Sequence, residues 1–225
     1  MTQAQPEPST QASDAAASGS GLDPSQCFAF PLDDFQLEAV DALNQGHSVV
    51  VSAPTGSGKT LVGEYAIYRA LAHGQKVFYT TPLKALSNQK LRDFREQFGD
   101  ENVGLLTGDL SVNREASIVV MTTEIFRNML YAEADEHDDP LADVEAVVLD
   151  ECHYMNDSQR GTVWEESIIH CPPPVQLVAL SATVANAGQL TDWIEKVHGP
   201  TRLIVSDHRP VPLQFSFCSA KGLHP

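Results

Sequence analysis

The stretch that decides the fold is Ala53-Pro54-Thr55-Gly56-Ser57-Gly58-Lys59-Thr60. It follows an apolar, β-branched run at 49–51, which predicts a buried strand, and it precedes 61–67, where apolar residues recur with helical spacing. Gly56 and Gly58 let the backbone curl so that successive N–H groups point at one anion, and the following helix adds its positive N-terminal end. The sequence therefore predicts a loop that binds the phosphates of a nucleotide.

The end of this loop supplies the groups that a phosphate site needs. Lys59 would bring a positive charge to the β- and γ-phosphates, and the Thr60 hydroxyl would ligate Mg²⁺. The general pattern has glycine at the first position, whereas this chain has Ala53 there. A glycine-rich turn before an ordinary helix is the alternative interpretation, but it does not explain why Lys-Thr directly follows the second glycine.

A second motif supplies paired carboxylates. The apolar run 146–149 predicts a strand, and it ends in Asp150-Glu151. Because the ends of parallel strands gather where ligands bind, we expect this pair beside the phosphate loop. Asp150 would hold Mg²⁺ through water, and Glu151 would orient and deprotonate the water that attacks the γ-phosphate. The alternative is that Asp150 and Glu151 only cap the next helix. Taken together, the loop at 53–60 and the two carboxylates predict a magnesium-dependent nucleotide hydrolase.

The whole chain alternates between strand and helix patterns, which predicts an α/β fold with a mostly parallel sheet and helices on both faces. Thr81-Pro82 predicts a helix start, with a capping hydroxyl and proline at the first helical position. The strands are predicted at 49–51, 76–80, 102–106, 117–121, 145–150, 175–181 and 201–205. The helices are predicted at 33–45, 59–73, 81–98, 122–131, 161–170 and 186–197.

Length and composition limit the class of protein. With 225 residues the chain can bury one sizeable core, and its net charge of −16 argues against a nucleic-acid partner. The charge is unevenly distributed, because the first basic residue is Lys59 and an acidic stretch lies at 132–142, where we expect a surface loop. Global charge therefore says little about any single face.

Cysteine usage and hydropathy bear on the compartment. The four cysteines form no Cys-x-x-Cys pair, and no apolar run approaches membrane length. The N-terminus has neither a basic start nor an apolar core, as a secretory signal would. We therefore expect a cytoplasmic protein without a membrane partner.

Composition also divides the chain into segments. Residues 1–26 are rich in Gln, Ser, Ala, Pro and Gly with scattered acids, which predicts a disordered tail. Residues 27–206 form the predicted domain, and 207–225 the predicted exit segment towards a further domain that this chain does not contain.

Three motifs in order resemble the DExH-box helicases of superfamily two. They are the loop at 53–60, Asp150-Glu151-Cys152-His153 and Ser181-Ala182-Thr183. That family commonly has alanine where Ala53 stands. Over roughly 28–217 the chain also resembles the superkiller-type RNA helicases, the group with the exosome-associated enzymes. The additional motifs are Phe30-Pro31-Leu32, Phe35-Gln36, 81–90, 107–109, 121–125, 153–155 and 160–166. The resemblance implies the first of two RecA-like P-loop domains.

The resemblance also implies roles around the nucleotide. Phe30 would stack on adenine and Gln36 would read its edge, which makes ATP the expected nucleotide; core packing is the alternative for Phe30. His153 would join the catalytic set. Apart from the resemblance, the Ser181 and Thr183 hydroxyls lie at the end of an apolar run, where they could hydrogen-bond His153 or the carboxylates and so report nucleotide state. On spacing alone, a strand-to-helix turn with a hydroxyl cap is favoured for these two residues.

Three further motifs would line a track for single-stranded RNA, or for an RNA duplex with an overhang, by the same resemblance. Helix starts at Pro82 and Thr123 would offer backbone N–H groups to phosphates without a strongly basic surface. A plain helix cap is the alternative for each motif. The residues of this predicted track are Pro82, Leu83, Lys84, Thr107, Gly108, Asp109, Thr122, Thr123 and Glu124.

The sequence thus predicts the ATP-binding domain of an ATP-dependent RNA helicase. In such enzymes a second RecA-like domain supplies an arginine finger, so we expect the isolated chain to turn over ATP hardly at all. A DNA helicase or translocase is one alternative, since the ATP motifs do not distinguish the polymer. A nucleotide-dependent binding module is another, although Glu151 argues against it because a pure binder needs no positioned base.

Overall fold

The computed structural model describes residues 21–131, 140–156, 161–212, 216–219 and 222–224. The helices are α1 (Pro24–Cys27), α2 (Asp34–Asn44), α3 (Thr60–His73), α4 (Lys84–Phe98), α5 (Thr123–Tyr131), α6 (Gly161–His170) and α7 (Ala187–Val197). The strands are β1 (Ser48–Ser52), β2 (Lys76–Thr81), β3 (Val103–Leu106), β4 (Ser111–Val112), β5 (Ile118–Thr122), β6 (Val144–Leu149), β7 (Gln176–Ser181), β8 (Thr201–Val205), β9 (Phe217–Ser219) and β10 (Gly222–His224). Short 3₁₀ turns lie at Asp100–Asn102 and Cys152–Asn156.

Eight of the strands form one sheet in the order β4-β3-β5-β2-β6-β7-β1-β8. Every pairing in it is parallel except that of β3 with β4. Strands β9 and β10 form a separate antiparallel pair. The predicted α/β class with a mostly parallel sheet is confirmed.

Helices cover both faces of the sheet because its strands are apolar on both sides. In β1, Val49 and Val51 join the core under α2, α3 and α4, whereas Val50 joins the core under α5, α6 and α7. All five residues of β1 are buried. This two-faced burial explains why the strands read as continuous apolar runs and why their bounds follow from the sequence to within one or two residues.

The carboxyl ends of the parallel strands meet at one edge of the sheet. The ends of β1, β6 and β7 carry the phosphate loop, the carboxylate pair and the Ser181 motif. The ends of β3, β5 and β2 carry the three motifs predicted for RNA. Because β2 and β6 are neighbours, the two groups of motifs adjoin at the middle of this edge.

The predicted helix start at Thr81-Pro82 is wrong. Helix α4 begins at Lys84, with Leu83 as its N-cap residue. Thr81 still belongs to β2, where it pairs with Thr122, so its backbone is extended and cannot open a helix. Its hydroxyl donates to the Leu83 carbonyl oxygen at 3.1 Å and lies 2.7 Å from the Ser87 hydroxyl.

Several segments differ from the sequence-based expectation or lie outside the described residues. The tail predicted for 1–26 lies outside the described residues up to residue 20. After that point, α1 and Leu22 pack on the domain, and the Leu22 carbonyl accepts a hydrogen bond from the Tyr65 hydroxyl. Most of the predicted acidic loop falls within 132–139, which also lies outside the described residues. Strand β4 and the pair β9–β10 were not predicted. Among the described residues, no helix is long and apolar enough to cross a membrane.

Candidate nucleotide and nucleic-acid site

The phosphate loop connects β1 to α3 and leaves polar groups without partners. Lys59 is only 7 % exposed, and it makes no ion pair with any described residue. The Ser57 hydroxyl oxygen is buried and has no hydrogen-bond partner in the part of the chain that the structure describes. A buried cation and an orphaned hydroxyl are costly unless a ligand satisfies them, so the loop fits an anion such as a nucleotide phosphate.

Gln36 holds the loop in place from helix α2. Its side-chain amide donates to the Gly58 carbonyl oxygen at 3.0 Å, and its amide oxygen accepts from the Asp33 backbone N–H at 2.8 Å. Gly58 has a φ of +83°, and a Cβ there would lie 2.7 Å from the Gln36 amide nitrogen. A side chain at this position would strain the backbone and displace the Gln36 amide. The predicted adenine contact of Gln36 would use the amide's remaining donor and acceptor capacity, and it stays a prediction.

Phe30 does not pack in the core. It is 54 % exposed, with its ring 5.8 Å from that of Phe28, and Phe28 is the aromatic residue that packs in the core. The core-packing alternative is therefore wrong for Phe30 and applies to Phe28. An exposed ring is free to stack on a ligand, so the predicted adenine contact stays open.

The carboxylate pair follows β6 in an unusual backbone conformation. Glu151 has a φ of +55°, in the left-handed region that few residues other than glycine adopt. This turn lets the Glu151 N–H donate to one Asp150 carboxylate oxygen at 2.9 Å. The other oxygen accepts a hydrogen bond from the Tyr79 hydroxyl at 2.8 Å. Strain of this kind is typical of functional sites, where surrounding contacts over-determine the geometry.

A cavity of about 410 Å³ brings the two motifs together. Asp150 and Glu151 line it together with five residues of the loop, which are Thr55, Gly56, Gly58, Lys59 and Thr60. Three residues that the sequence did not assign to the nucleotide complete it from α4, namely Leu86, Gln89 and Lys90. The pairing of β2 with β6 places α4 there, and strand order cannot be read from one sequence.

The chemistry of the cavity fits a magnesium nucleotide. Asp150 and Thr60 offer a carboxylate and a hydroxyl oxygen, and Mg²⁺ usually takes one or two protein oxygens together with phosphate oxygens and water. A cage of protein ligands is not required. Accordingly, no group of three or more His, Cys, Asp or Glu suited to a metal occurs among the described parts of the chain.

His153 contacts both Glu151 and the end of β7 through one ring nitrogen. Its Nδ1 lies 3.3 Å from a Glu151 carboxylate oxygen and 3.4 Å from the Ala182 backbone nitrogen. The first contact needs a proton on Nδ1, whereas the second needs a lone pair there. His153 can therefore make only one of them at a time.

The hydroxyls of the Ser181 motif do not make the predicted bonds to His153 or to the carboxylates. The Ser181 hydroxyl donates to the Ala182 carbonyl oxygen at 2.8 Å, and the side chain of Thr183 is exposed. The link to His153 comes from the Ala182 backbone instead. The hydroxyl-cap alternative is wrong as well, because α7 begins at Ala187 with Asn186 as its N-cap residue.

Side-chain contacts join two segments of the predicted RNA track. The Lys84 ammonium lies 2.8 Å from an Asp109 carboxylate oxygen, and the Thr107 hydroxyl donates to that same oxygen at 2.9 Å. The Lys84 bond and then the Thr107 bond lower the pKa of Asp109. Residues after β2 and after β3 thus meet across the end of β5.

The track residues differ in what they can offer to a ligand. Pro82, Thr122 and Thr123 are buried, and the Thr123 hydroxyl donates to the Thr81 carbonyl oxygen at 3.2 Å. Their side chains therefore hold the sheet edge together. Only backbone groups of this set could contact a nucleic acid. The exposed members are Leu83, Lys84, Gly108 and Asp109, and the half-buried members are Thr107 and Glu124.

Comparison with known proteins decides the family. A family model described as DEAD/DEAH box helicase matches residues 33–190. The chain belongs to this family. The helicase domain is 56 % identical over 200 residues to the chloroplastic DExH-box ATP-dependent RNA helicase DExH15 of Arabidopsis thaliana, a match that covers 88 % of this chain and 17 % of that protein. It is 49 % identical over 203 residues to the antiviral helicase SKI2 of Saccharomyces cerevisiae, a match that covers 90 % of this chain and 16 % of that protein.

A solved structure shares the fold of this helicase domain. The helicase Lhr of Mycobacterium smegmatis, bound to single-stranded DNA and AMP-PNP, superposes with a TM-score of 0.64 at 28 % identity, covering 81 % of this chain and 26 % of that one. The predicted resemblance to a superkiller-type DExH-box domain with a RecA-like fold is confirmed. Membership of the family implies the use of ATP. The chain spans about a sixth of the length of the curated relatives named above.

Proposed function

We propose that this helicase domain is the ATP-binding domain of an ATP-dependent RNA helicase that couples ATP hydrolysis to translocation on RNA or to its unwinding. The observation that carries the proposal is that one edge of one sheet holds both groups of motifs, which adjoin where β2 pairs with β6. The relatives DExH15 and SKI2, one of which is named an RNA helicase, support it.

Residues of the loop and of the carboxylate motif would bind the nucleotide, Mg²⁺ and the attacking water. Lys59 and the backbone N–H groups of the loop would hold the β- and γ-phosphates, while Thr60 and Asp150 would hold Mg²⁺. When bound, Mg²⁺ neutralises charge on the phosphate oxygens. Glu151 would orient the attacking water and accept its proton, and His153 would hold Glu151 or release it for the contact with Ala182.

The nucleic-acid track would bind the sugar–phosphate backbone with few charges. Lys84 is already paired with Asp109, so a phosphate would share its ammonium group with that carboxylate or replace it. Backbone N–H groups in the first turns of α4 and α5 would supply the remaining contacts. This arrangement suits movement along a strand, because such contacts carry no base sequence information.

A second RecA-like domain would complete the nucleotide cavity and the nucleic-acid track. An arginine supplied from outside a phosphate site contributes about 10³- to 10⁵-fold in rate to related phosphoryl transfers. The 225-residue chain by itself would therefore bind ATP and turn it over hardly at all.

A DNA helicase or translocase is the second candidate, because the structurally similar Lhr was solved with single-stranded DNA. The 2′-hydroxyl distinguishes RNA from DNA, so the test compares both polymers. In the complete protein, we expect single-stranded RNA to stimulate steady-state ATP hydrolysis more than DNA of the same sequence does. Stronger stimulation by DNA would favour the second candidate, and stimulation by neither would favour a nucleotide-dependent binding module.

A further inference from the structure

Tyr79 contacts the nucleotide site, although it lies in none of the sequence motifs. It lies in the middle of β2, is fully buried, and donates its hydroxyl hydrogen to Oδ2 of Asp150 at 2.8 Å. The pairing of Tyr79 with Val148 on β6 sets this reach, because Asp150 lies two residues farther along the same strand direction. Oδ1 of Asp150 accepts from the Glu151 N–H at 2.9 Å. Each carboxylate oxygen thus has one fixed donor.

The ring of Tyr79 is locked on three sides. It packs edge-on against Phe94 with 4.9 Å between ring centroids. The Lys90 ammonium lies 5.2 Å from its centroid, within the range of a cation–π contact. At Gly63 of α3, an added Cβ would lie 3.2 Å from the ring, which shows how closely the helix approaches. The hydroxyl is therefore aimed at Asp150 by packing, and it does not depend on a mobile side chain.

The Tyr79 hydroxyl donates to a carboxylate and not to a backbone carbonyl. Burial, and next the charge of Asp150, raise the pKa of Tyr79 well above its ordinary value. Buried tyrosine hydroxyls usually find a partner wherever they lie, so a bond alone does not imply a role at the site. The partner of Tyr79 distinguishes it from other buried tyrosines, since Asp150 is one of the two carboxylates that line the cavity together with the phosphate loop.

We propose that the Tyr79 hydroxyl is a positioning group that fixes the orientation of the Asp150 carboxylate for a magnesium nucleotide. The proposal rests on the proposed function, because it assumes that Asp150 holds Mg²⁺. Without the hydroxyl, Oδ2 loses its donor and the carboxylate is restrained at Oδ1 alone. Groups that orient a metal ligand in this way typically contribute about 10- to 100-fold in metal affinity or activity.

Tyr65 supplies a matched control. It is also fully buried, and its hydroxyl lies 2.5 Å from the Leu22 carbonyl oxygen and 2.8 Å from the Asn44 side-chain oxygen, either of which can accept its one hydrogen. Tyr65→Phe removes a buried hydroxyl bond just as Tyr79→Phe does, but it leaves Asp150 untouched. A general loosening of the fold would affect both variants, whereas a positioning role affects Tyr79→Phe alone.

The test is a titration of Mg²⁺ against a fluorescent ADP analogue bound to the 225-residue chain, with parallel binding measurements in EDTA. For Tyr79→Phe we expect the free Mg²⁺ concentration at half-maximal effect to rise about 10- to 100-fold. Binding in EDTA should match wild type, and Tyr65→Phe should match it in both conditions. An unchanged Mg²⁺ requirement in Tyr79→Phe, or an equal shift in both variants, would overturn the proposal.

A different result would refute the proposed site. If the wild-type chain bound the analogue without any dependence on Mg²⁺, the assignment of Asp150 as a metal-holding residue would be wrong, and the role of Tyr79 with it. The two failures are distinguishable, because the first appears only in the variant and the second already in the wild type.

Discussion

Replacing Glu151 by glutamine is expected to lower the rate of ATP hydrolysis about 10²- to 10⁴-fold while leaving ATP binding intact, as is typical for the loss of a general base. Glutamine has nearly the same shape, but its amide cannot accept the proton of the attacking water. The measurement is single-turnover hydrolysis by the complete protein with single-stranded RNA, paired with equilibrium ATP binding. ATP should accumulate on the variant without unwinding.

The control is Glu195→Gln, which neutralises an exposed carboxylate on α7 and should leave both quantities unchanged. If Glu151→Gln hydrolysed ATP at the wild-type rate, Glu151 would have no role as a base. Normal cellular function of this variant would support the binding-module alternative, in which ATP acts only as a conformational switch.

Replacing Arg69 by alanine is expected to destabilise the domain by about 3–5 kcal/mol, the usual cost of breaking a buried ion pair. Arg69 of α3 is 4 % exposed, and its Nε donates to a Glu145 carboxylate oxygen of β6 at 2.5 Å. Its other nitrogens donate to the Leu43 carbonyl oxygen and to the Gln176 side-chain oxygen. The residue thus joins α2, α3, β6 and β7, and its loss removes the donor to one Glu145 carboxylate oxygen and to the Gln176 side-chain oxygen.

The measurement is urea denaturation of Arg69→Ala beside Arg114→Ala, whose exposed pair with Glu115 should contribute within about 0.5 kcal/mol. A double variant, Arg69→Met with Glu145→Leu, should recover much of the loss, since apolar groups of similar volume can replace a buried pair. A change below about 1 kcal/mol for Arg69→Ala would show that the network is not a buried ion pair in solution.

Local sequence patterns predicted most of the fold, because parallel strands buried on both faces produce continuous apolar runs. The phosphate loop and Asp150-Glu151 were predicted for the same reason, since both follow such strands directly. The error at Thr81-Pro82 came from reading a hydroxyl and a proline as a helix cap, whereas pairing with Thr122 keeps Thr81 in β2. Tertiary pairing decides such positions.

Contacts between distant segments could not be predicted from one sequence. The Tyr79 hydroxyl reaches Asp150 only because β2 lies beside β6, and Lys90 lines the nucleotide cavity from α4, the helix that follows β2. Likewise, the link from His153 to the end of β7 uses the Ala182 backbone, which every residue type except proline would offer. The roles of the individual site residues, Mg²⁺ and a cytoplasmic location stay predictions.

Nucleotide binding by the 225-residue chain tests the central claim most directly. Titration with a fluorescent ATP analogue in the presence of Mg²⁺ should show saturable binding that unlabelled ATP displaces. Lys59→Ala should weaken it about 10- to 100-fold, which corresponds to the loss of one charged hydrogen bond of about 1.5–3 kcal/mol. Equal affinity of wild type and Lys59→Ala would contradict the claim that residues 53–60 hold the phosphates of ATP.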